Sequence, residues 1–461
     1  MSSRLAALAQ LIVCPRCQMD AWSCQGDDTG GALVCQSCHT AYPWHDGVLD
    51  LGNVNEDPNV AEERAAVRRT ERNAALGGIN DEFEDLSRAE GALKQAILAL
   101  PYGNSSRYYA EPGYFSNVRS AAPAFDFLLE HLELRTGDRL LDLGADLTWS
   151  THQMARCGLD CCAVDINHHL SVGRLFEAHS GVFYHRVRAN MRDVPFRAGL
   201  FDVILAMNAL HHAGRIEPVA ANIARMLKRG GRLAFVEPYC ATEAAKAAFG
   251  RAQIEAGISE QTYLLHEWHR AFVDAGLRLH VMRVSDSFNA IYEKADGANC
   301  DLFARFYDGR VSVLDAPSEV APESVFGVAI ALENRGNAVW SSVSQFPVYA
   351  SYHLSCRAAD GDVLQSFDNV RTCLPSEIGP GQRVTLSVEL TAPSEPGEYV
   401  AEIDLVHEFV TWFVPKGLER RTVTFRVSEG QPLPQNRQAF GVSLSSAYSR
   451  AGLSNFSRRH S

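Results

Sequence analysis

Arg139-Leu140-Leu141-Asp142-Leu143-Gly144-Ala145-Asp146-Leu147-Thr148 decides the fold of the middle of this chain. Its first half is a short apolar strand, and its second half turns at Gly144 into the helical pattern of Thr151–Cys157. Outward from it, strand patterns recur at Cys161–Val164, Val182–Val187, Val203–Ala206 and Arg232–Val236. Helical patterns at Ala124–Leu134, Leu170–His179 and Glu217–Leu227 fall among them. This alternation predicts an α/β doubly wound, Rossmann-like sheet. Ligands of such sheets bind beyond the carboxyl ends of the strands, near the reversal of strand order. Asp142 and Gly144 end the first strand, and Asp165, 23 residues beyond Asp142, ends the second, followed by Ile166. A carboxylate at that second strand end can accept hydrogen bonds from both hydroxyls of a ribose.

Three further segments extend the pattern. They are Asn190-Met191-Arg192-Asp193-Val194-Pro195-Phe196, then Phe201-Asp202-Val203-Ile204 running on to Asn208-Ala209-Leu210-His211-His212, then Arg225-Met226-Leu227-Lys228-Arg229-Gly230-Gly231. In order and spacing the series resembles the class I S-adenosylmethionine-dependent methyltransferase family, type 11-like, over about residues 120–240. The resemblance implies S-adenosylmethionine as cofactor, with Asp142, Gly144, Asp146, Asp165 and Ile166 around it. It further implies that Asn190 meets the adenine amino group, that Met191 covers the ring, and that Asn208 lies under the sulfonium or the substrate.

The chain departs from that family where it matters. Glycines normally follow Gly144 at alternate positions, and here Asp146 and Thr148 stand there. Glycine adopts positive φ without penalty and lets backbone approach a ligand closely. Asp tolerates such a conformation better than most residues, whereas a β-branched Thr does not. Asn190 replaces an aspartate yet keeps a carbonyl acceptor. Two readings stay open: an active enzyme, and a domain that has lost its cofactor.

In methyl transfer the protein mainly holds nucleophile, carbon and sulfur in line. A base is needed when the acceptor must lose a proton. His211 and His212 are the candidates, with His212 taken as the catalytic one. Tyr102, Tyr108, Tyr109, Tyr114 and Phe115 cluster ahead of the core, either as packing for a connector or as an aromatic lid. Glu237 closes the fifth strand, where a substrate contact is conceivable. Thr242–Ala256 and Glu260–Ala275 read as helices, and Leu277–Val284 with Ala290–Lys294 as closing strands.

Toward the N-terminus, Cys14-Pro15-Arg16-Cys17 and Cys35-Gln36-Ser37-Cys38 are separated by 17 residues. Two CxxC turns so spaced can offer four thiolates to one tetrahedral zinc ion, closing its shell and making the site structural. Leu11-Ile12-Val13 before the first pair and Tyr42-Pro43-Trp44-His45-Asp46-Gly47 after the second resemble the zinc-ribbon activator family of tRNA and protein methyltransferases, over roughly residues 5–51. That resemblance implies a scaffold for the methyltransferase. Beyond it, Ala61–Leu76 and Phe83–Leu100 have helical periodicity around Gly77-Gly78.

From about Asp301 the texture becomes β-rich, with strands expected at Val325–Glu333, Val348–Leu354, Val384–Leu390, Gly397–Leu405 and Arg421–Val427. Trp340, Tyr352-His353, Arg371, Leu374-Pro375, Pro380-Gly381, Pro396-Gly397-Glu398-Tyr399 and Trp412-Phe413 resemble an immunoglobulin-like β-sandwich found on bacterial polysaccharide-related enzymes and exporters. The resemblance implies a glycan ligand or a protein partner for this domain. Cys356 and Cys373 could face each other across strands, and in a reducing compartment free thiols are expected.

The expected architecture is therefore a zinc ribbon (1–55), a helical connector (56–110), a methyltransferase domain (111–300), a β-sandwich (301–430) and a disordered tail (431–461). At 461 residues the chain exceeds one hydrophobic core. No apolar run approaches a membrane span, and no secretory cleavage pattern opens the chain, so the cytoplasm is the expected location. A formal charge of −12 weighs against a nucleic-acid partner, and Arg186, Arg188, Arg192 and Arg197 read as a solvated surface. The function expected is methyl transfer to a small molecule or to a sugar of a surface-glycan pathway. Alternatives are an rRNA guanine methyltransferase, whose family also joins a zinc ribbon to this core, and a non-catalytic assembly module.

Overall fold

A computed structural model describes the chain except residues 1–2, 28–29, 53–85, 105–106, 111–112, 257–260, 298, 359–360 and 429–461. The helix expected at 61–76 and the tail expected from 431 lie outside the described residues. Of the second connector helix, a short 3-10 turn at Leu86–Arg88 and a helix at Gly91–Leu98 are described. The chain forms two compact units. Among the described residues, the first takes in the chain up to His280 and Ser287–Cys300, and the second Val281–Asp286 and residues 301–428.

The first unit is organised by one 11-stranded sheet. In chain order its strands are β1 (Trp22–Gly26), β2 (Gly30–Cys35), β3 (Ala41–His45), β4 (Val48–Asp50), β5 (Arg139–Leu143), β6 (Asp160–Asp165), β7 (His185–Arg188), β8 (Phe201–Met207), β9 (Leu227–Glu237), β10 (Leu277–Val284) and β11 (Phe288–Lys294). Their spatial order is β1-β2-β3-β4-β7-β6-β5-β8-β9-β11-β10. β7, β6, β5, β8 and β9 run parallel, and β11 pairs antiparallel with β9. The strand order therefore reverses at β5, which lies between β6 and β8. Leu140, Leu141, Val164, Val187, Ile204 and Leu205 are fully buried along these strands, as expected of a sheet covered on both faces.

The cysteine-bearing segment is continuous with this sheet. β4 pairs in parallel with β7, Val48 opposite Arg186 and Asp50 opposite Arg188. A second junction joins Ile12 to Phe196, with the Val13 N–H donating to Pro195 O at 2.8 Å and the Arg197 N–H to Leu11 O at 3.0 Å. Ion pairs span the same seam: Arg188 with Asp50 at 3.3 Å, Arg197 with Asp20 at 2.9 Å, and Arg174 with Asp46. Arg186 is 2% exposed, 3.6 Å from Glu177, which also binds Arg4 at 2.7 Å. Arg192 donates to the Ala213 carbonyl. The arginines read as a solvated surface are thus engaged, and three of the four lie along the junction with the N-terminal segment. Sequence proximity could not show the partners of Arg188 and Arg197, which come from more than 130 positions away.

In the second unit, Gly309–Asp315, Val325–Asn334 and Arg383–Thr391 form one antiparallel sheet, and Val348–Ala358, Gly397–His407 and Arg421–Val427 the centre of another. Val328, Ile330, Leu332, Val388 and Leu390 of the first sheet and Ile403 and Leu405 of the second are buried. The Tyr352 hydroxyl accepts the Thr391 N–H at 3.0 Å, tying one sheet to the other. Cys356 lies opposite Tyr399 and Val363, whereas Cys373 lies opposite Tyr349. The two thiols are therefore at different registers and do not take up the facing arrangement that the sequence allowed.

The seam yields a direct test. Gly47 has φ +75°, and a Cβ there would lie 2.2 Å from Nη2 of the buried Arg186. Gly47→Ala is expected to lose about 1–3 kcal/mol in urea unfolding, from left-handed strain and overpacking together. An unchanged midpoint would show that the seam contributes little.

Candidate functional site

The site is built at the carboxyl ends of β5, β6, β8 and β9. Asp142 is wholly buried near the end of β5, and its Oδ2 accepts the hydroxyls of Ser150 and Thr151 at 2.6 Å each. Among the described residues its Oδ1 has no partner. Burial pushes this carboxyl up to about 6, against the two hydroxyl donors that favour its charge.

The loop that follows keeps a glycine-like backbone without the glycines. Gly144, Asp146 and Thr148 have φ of +77°, +38° and +60°. Thr148 is fully buried, its hydroxyl 2.8 Å from that of Tyr184, so its branched side chain is spent inside the fold. Asp146 donates its N–H to Asp165 Oδ2 at 2.8 Å, and its Oδ1 lies 2.7 Å from His169 Nδ1. Asn167 Nδ2 donates to the same oxygen at 3.4 Å, and the Tyr114 hydroxyl also bonds this carboxylate. The Asp146 side chain remains 29% exposed. Burial works against its charge, but His169 and Tyr114 outweigh it and hold the carboxyl below its ordinary range.

Asp165 accepts the Asn167 N–H on Oδ1 and the Asp146 N–H on Oδ2, both at 2.8 Å. An ionised carboxylate has about four lone-pair sites, so acceptor capacity is left for a ligand's hydroxyls. Burial, together with the neighbouring Asp146 charge, pushes Asp165 up to about 6. Ile166 is half-buried beside it. Asn190 caps the 3-10 turn Met191–Asp193 by accepting the Arg192 N–H at 3.0 Å. Met191 Cε would lie 3.6 Å, and Ala209 Cβ 2.3 Å, from a Cβ built on Gly144, so only a glycine admits these two neighbours. Asn208 directly follows β8 with φ +52°, exposed, its N–H on Val236 O at 2.7 Å. Asp146 and Asp165 are thus bonded together at the ends of β5 and β6, and Met191 and Ala209 stand against Gly144, while Asp142 is enclosed by Ser150 and Thr151.

The two histidines separate. His211 Nδ1 lies 2.7 Å from Oε2 of Glu237, a fully buried carboxylate at the end of β9. His212 is half-buried, its ring centroid 4.1 Å from that of His211. Of the aromatic cluster, Tyr108, Tyr109 and Phe115 pack together as a buried knot, while Tyr102 donates to Asp126 at 2.6 Å. Tyr114 alone among them reaches the loop. Sequence reasoning did not find His169, Tyr184, Ser150 or Thr151. No periodicity marks them, since each meets its partner only through the fold.

At the four N-terminal cysteines the thiol sulfurs all lie within 4.8 Å of one another, a cluster able to hold one metal ion. The Cys14–Cys38 and Cys17–Cys35 separations are 3.6 Å, and the Tyr42 hydroxyl is 3.3 Å from Cys14 Sγ. These spacings suit four sulfurs at the corners of a tetrahedron.

Comparison with known proteins fits this geometry. Residues 141–235 match the methyltransferase domain family, and residues 314–413 match the Ig-like domain from next to BRCA1 gene. Ubiquinone biosynthesis O-methyltransferase of Erwinia tasmaniensis is 27% identical over 159 residues, 34% of this chain and 63% of that protein. Demethylmenaquinone methyltransferase of Mycobacterium marinum is 30% identical over 106 residues, 23% of this chain and 44% of that protein. The chain thus spans less than two-thirds of the length of either relative. Among solved structures, the YcgJ protein of Bacillus subtilis aligns at 17% identity and TM-score 0.34, covering 38% of this chain and all of that one. No helix among the described residues is long and apolar enough to cross a membrane. Residues 141–235 are therefore similar to a methyltransferase domain, and their strands belong to the doubly wound parallel sheet.

Proposed function

We propose that this chain transfers a methyl group from S-adenosylmethionine to a small molecule. The observation that carries the reading is the loop at residues 144–148, which holds its three left-handed residues although two are not glycine. The residues present fit the cofactor: Asp165 has acceptor sites to spare for ribose hydroxyls, Asp142 keeps an oxygen unpartnered among the described residues, and Asp146 offers a partly open carboxylate to a cation. Met191 would cover the adenine and Asn190 would meet its edge, while Asn208 borders the methyl group. When bound, the sulfonium supplies an already electrophilic carbon, so the chain's own task is orientation and exclusion of water.

The four cysteines are proposed to hold a structural zinc ion, which stabilises the segment whose backbone is bonded to residues 188–197. A sugar of a surface-glycan pathway is the narrower acceptor reading, supported by the sandwich resemblance alone, as is a protein partner for that unit. Ribosomal RNA is the weaker reading, because arginines 186, 188 and 197 are spent on ion pairs. A non-catalytic assembly module is the reading that cofactor binding would dismiss.

Calorimetry with S-adenosylmethionine and S-adenosylhomocysteine is expected to give one site per chain, weakened at least tenfold by Asp165→Ala. A flat titration at millimolar ligand would end the enzymatic reading. The dependence on pH has a definite sign. A carboxyl raised to about 6 stabilises the empty fold at low pH, and that contribution is lost as pH rises through about 6. A cationic ligand prefers the ionised form, so affinity should rise between pH 5 and 7.5, and the rise should shrink in Asp165→Asn.

Purified protein is expected to contain about one zinc per chain by mass spectrometry of metals. Cys35→Ser should lower the melting temperature and weaken the cofactor together, because the same segment backs the adenine side. Loss of zinc with cofactor affinity untouched would separate the two regions.

A further inference from the structure

Two adjacent histidines follow β8, and the acceptor atom of a methyl transfer depends on whether either can take a proton. Glu237 distinguishes them. This carboxylate has 0% exposure and stands at the end of β9, next to β8 in the sheet. Its Oε1 accepts the N–H groups of Ala209 and Leu210 at 2.9 and 2.7 Å, and its Oε2 meets His211 Nδ1 at 2.7 Å. A carboxylate only accepts, so Nδ1 carries the proton and the lone pair of the neutral imidazole is left on Nε2. Among the described residues none bonds that nitrogen, and the side chain keeps 9% of its surface open. The turn begins against the cofactor loop, since Ala209 occupies the space that a side chain on Gly144 would need.

We propose that His211, oriented by Glu237, is the proton acceptor of this site and that the methyl acceptor is a hydroxyl oxygen. The proposal rests on the methyl-transfer reading above and narrows its substrate to an alcohol or phenol. A neutral amine attacks through a lone pair it already has and can release a proton to water afterwards. A hydroxyl must give up its proton as its oxygen attacks, and that step calls for a positioned base. The oxygen lone pair forms the new O–C bond while the C–S bond breaks, its electron pair staying on sulfur. The hydroxyl proton passes to His211 Nε2 and then to solvent. Glu237 stabilises the imidazolium formed in between, as a buried carboxylate behind a catalytic histidine does elsewhere.

The test uses the full chain, methyl-tritiated S-adenosylmethionine and the small-molecule extract of the source cells. Label is expected in alkali-stable ethers that hydriodic acid releases as methyl iodide. His211→Asn keeps a donor toward Glu237 but no base, and is expected to lose labelling at least 100-fold while binding S-adenosylhomocysteine within threefold of wild type. Glu237→Gln favours the opposite tautomer and should lose rate in the same way. His211→Gln gives a second variant should His211→Asn fail to fold, with homocysteine-product binding as the check on folding. Label in N-methyl, C-methyl or ester linkage, or His211→Asn turning over within threefold of wild type, overturns the proposal. Cofactor binding with no labelled product from wild type overturns the methyl-transfer reading itself, and this inference with it.

Discussion

The parallel pairing of β4 with β7 is the constraint on which the rest of the first unit depends. β7 would otherwise be an edge strand of the sheet, with a row of unpaired N–H and C=O groups. β4 pairs that edge, and the Ile12–Phe196 junction fixes the chain just beyond it. Between those two fastenings lie Arg188 to Pro195, which include Asn190 and Met191. The N–H of Leu51 donates to Arg188 O, and that of Ala189 to Asp165 O, so backbone bonds run from the cysteine-bearing segment to Asp165. A segment this short rarely orders itself on apolar burial alone, and the metal site proposed at its four cysteines would supply the rest.

The second constraint is the loop after β5. A left-handed non-glycine residue costs on the order of 1–2 kcal/mol, and two stand here. Each is held by bonds a glycine could not make: Thr148 to Tyr184, and Asp146 to His169 and Tyr114. The conformation is thereby kept while the chemistry of the rim changes from bare backbone to carboxylate. Tyr114 begins the helix Tyr114–His131, so the exchange of glycine for Asp146 also fastens that helix to the loop.

Legibility in the sequence followed burial. β5, Leu277–Val284 and Arg421–Val427 were read to the residue because compact apolar or alternating runs stand between turn residues. β7 was read three residues too early, since its span is set by β4 and β6 rather than by its own pattern. Gly361–Ser366 carries no inward face, every residue but the last being exposed, so no alternation announces it. Asp165 was read at the end of its strand, where β6 does end. Of the two histidines the sequence reading chose His212, and in a 3-10 turn no period tells which ring meets a carboxylate 26 positions on.

The charges at the strand ends give the arrangement its direction. Asp142, Asp146 and Asp165 stand at or beside the ends of β5 and β6, and two of them are raised to about 6 by burial. Keeping each ionised at neutral pH costs roughly 3 kcal/mol relative to an exposed carboxyl. A purely structural role would be served as well by Asn or Ser, which carry no such cost. A ligand with its own positive charge reverses the sign: near an effective dielectric of 20, a unit charge at about 4 Å gains about 4 kcal/mol from one carboxylate. Asp142 and Asp165, unlike Asp146, are thus unfavourable as anions in the empty protein, and a neighbouring cation would offset that cost.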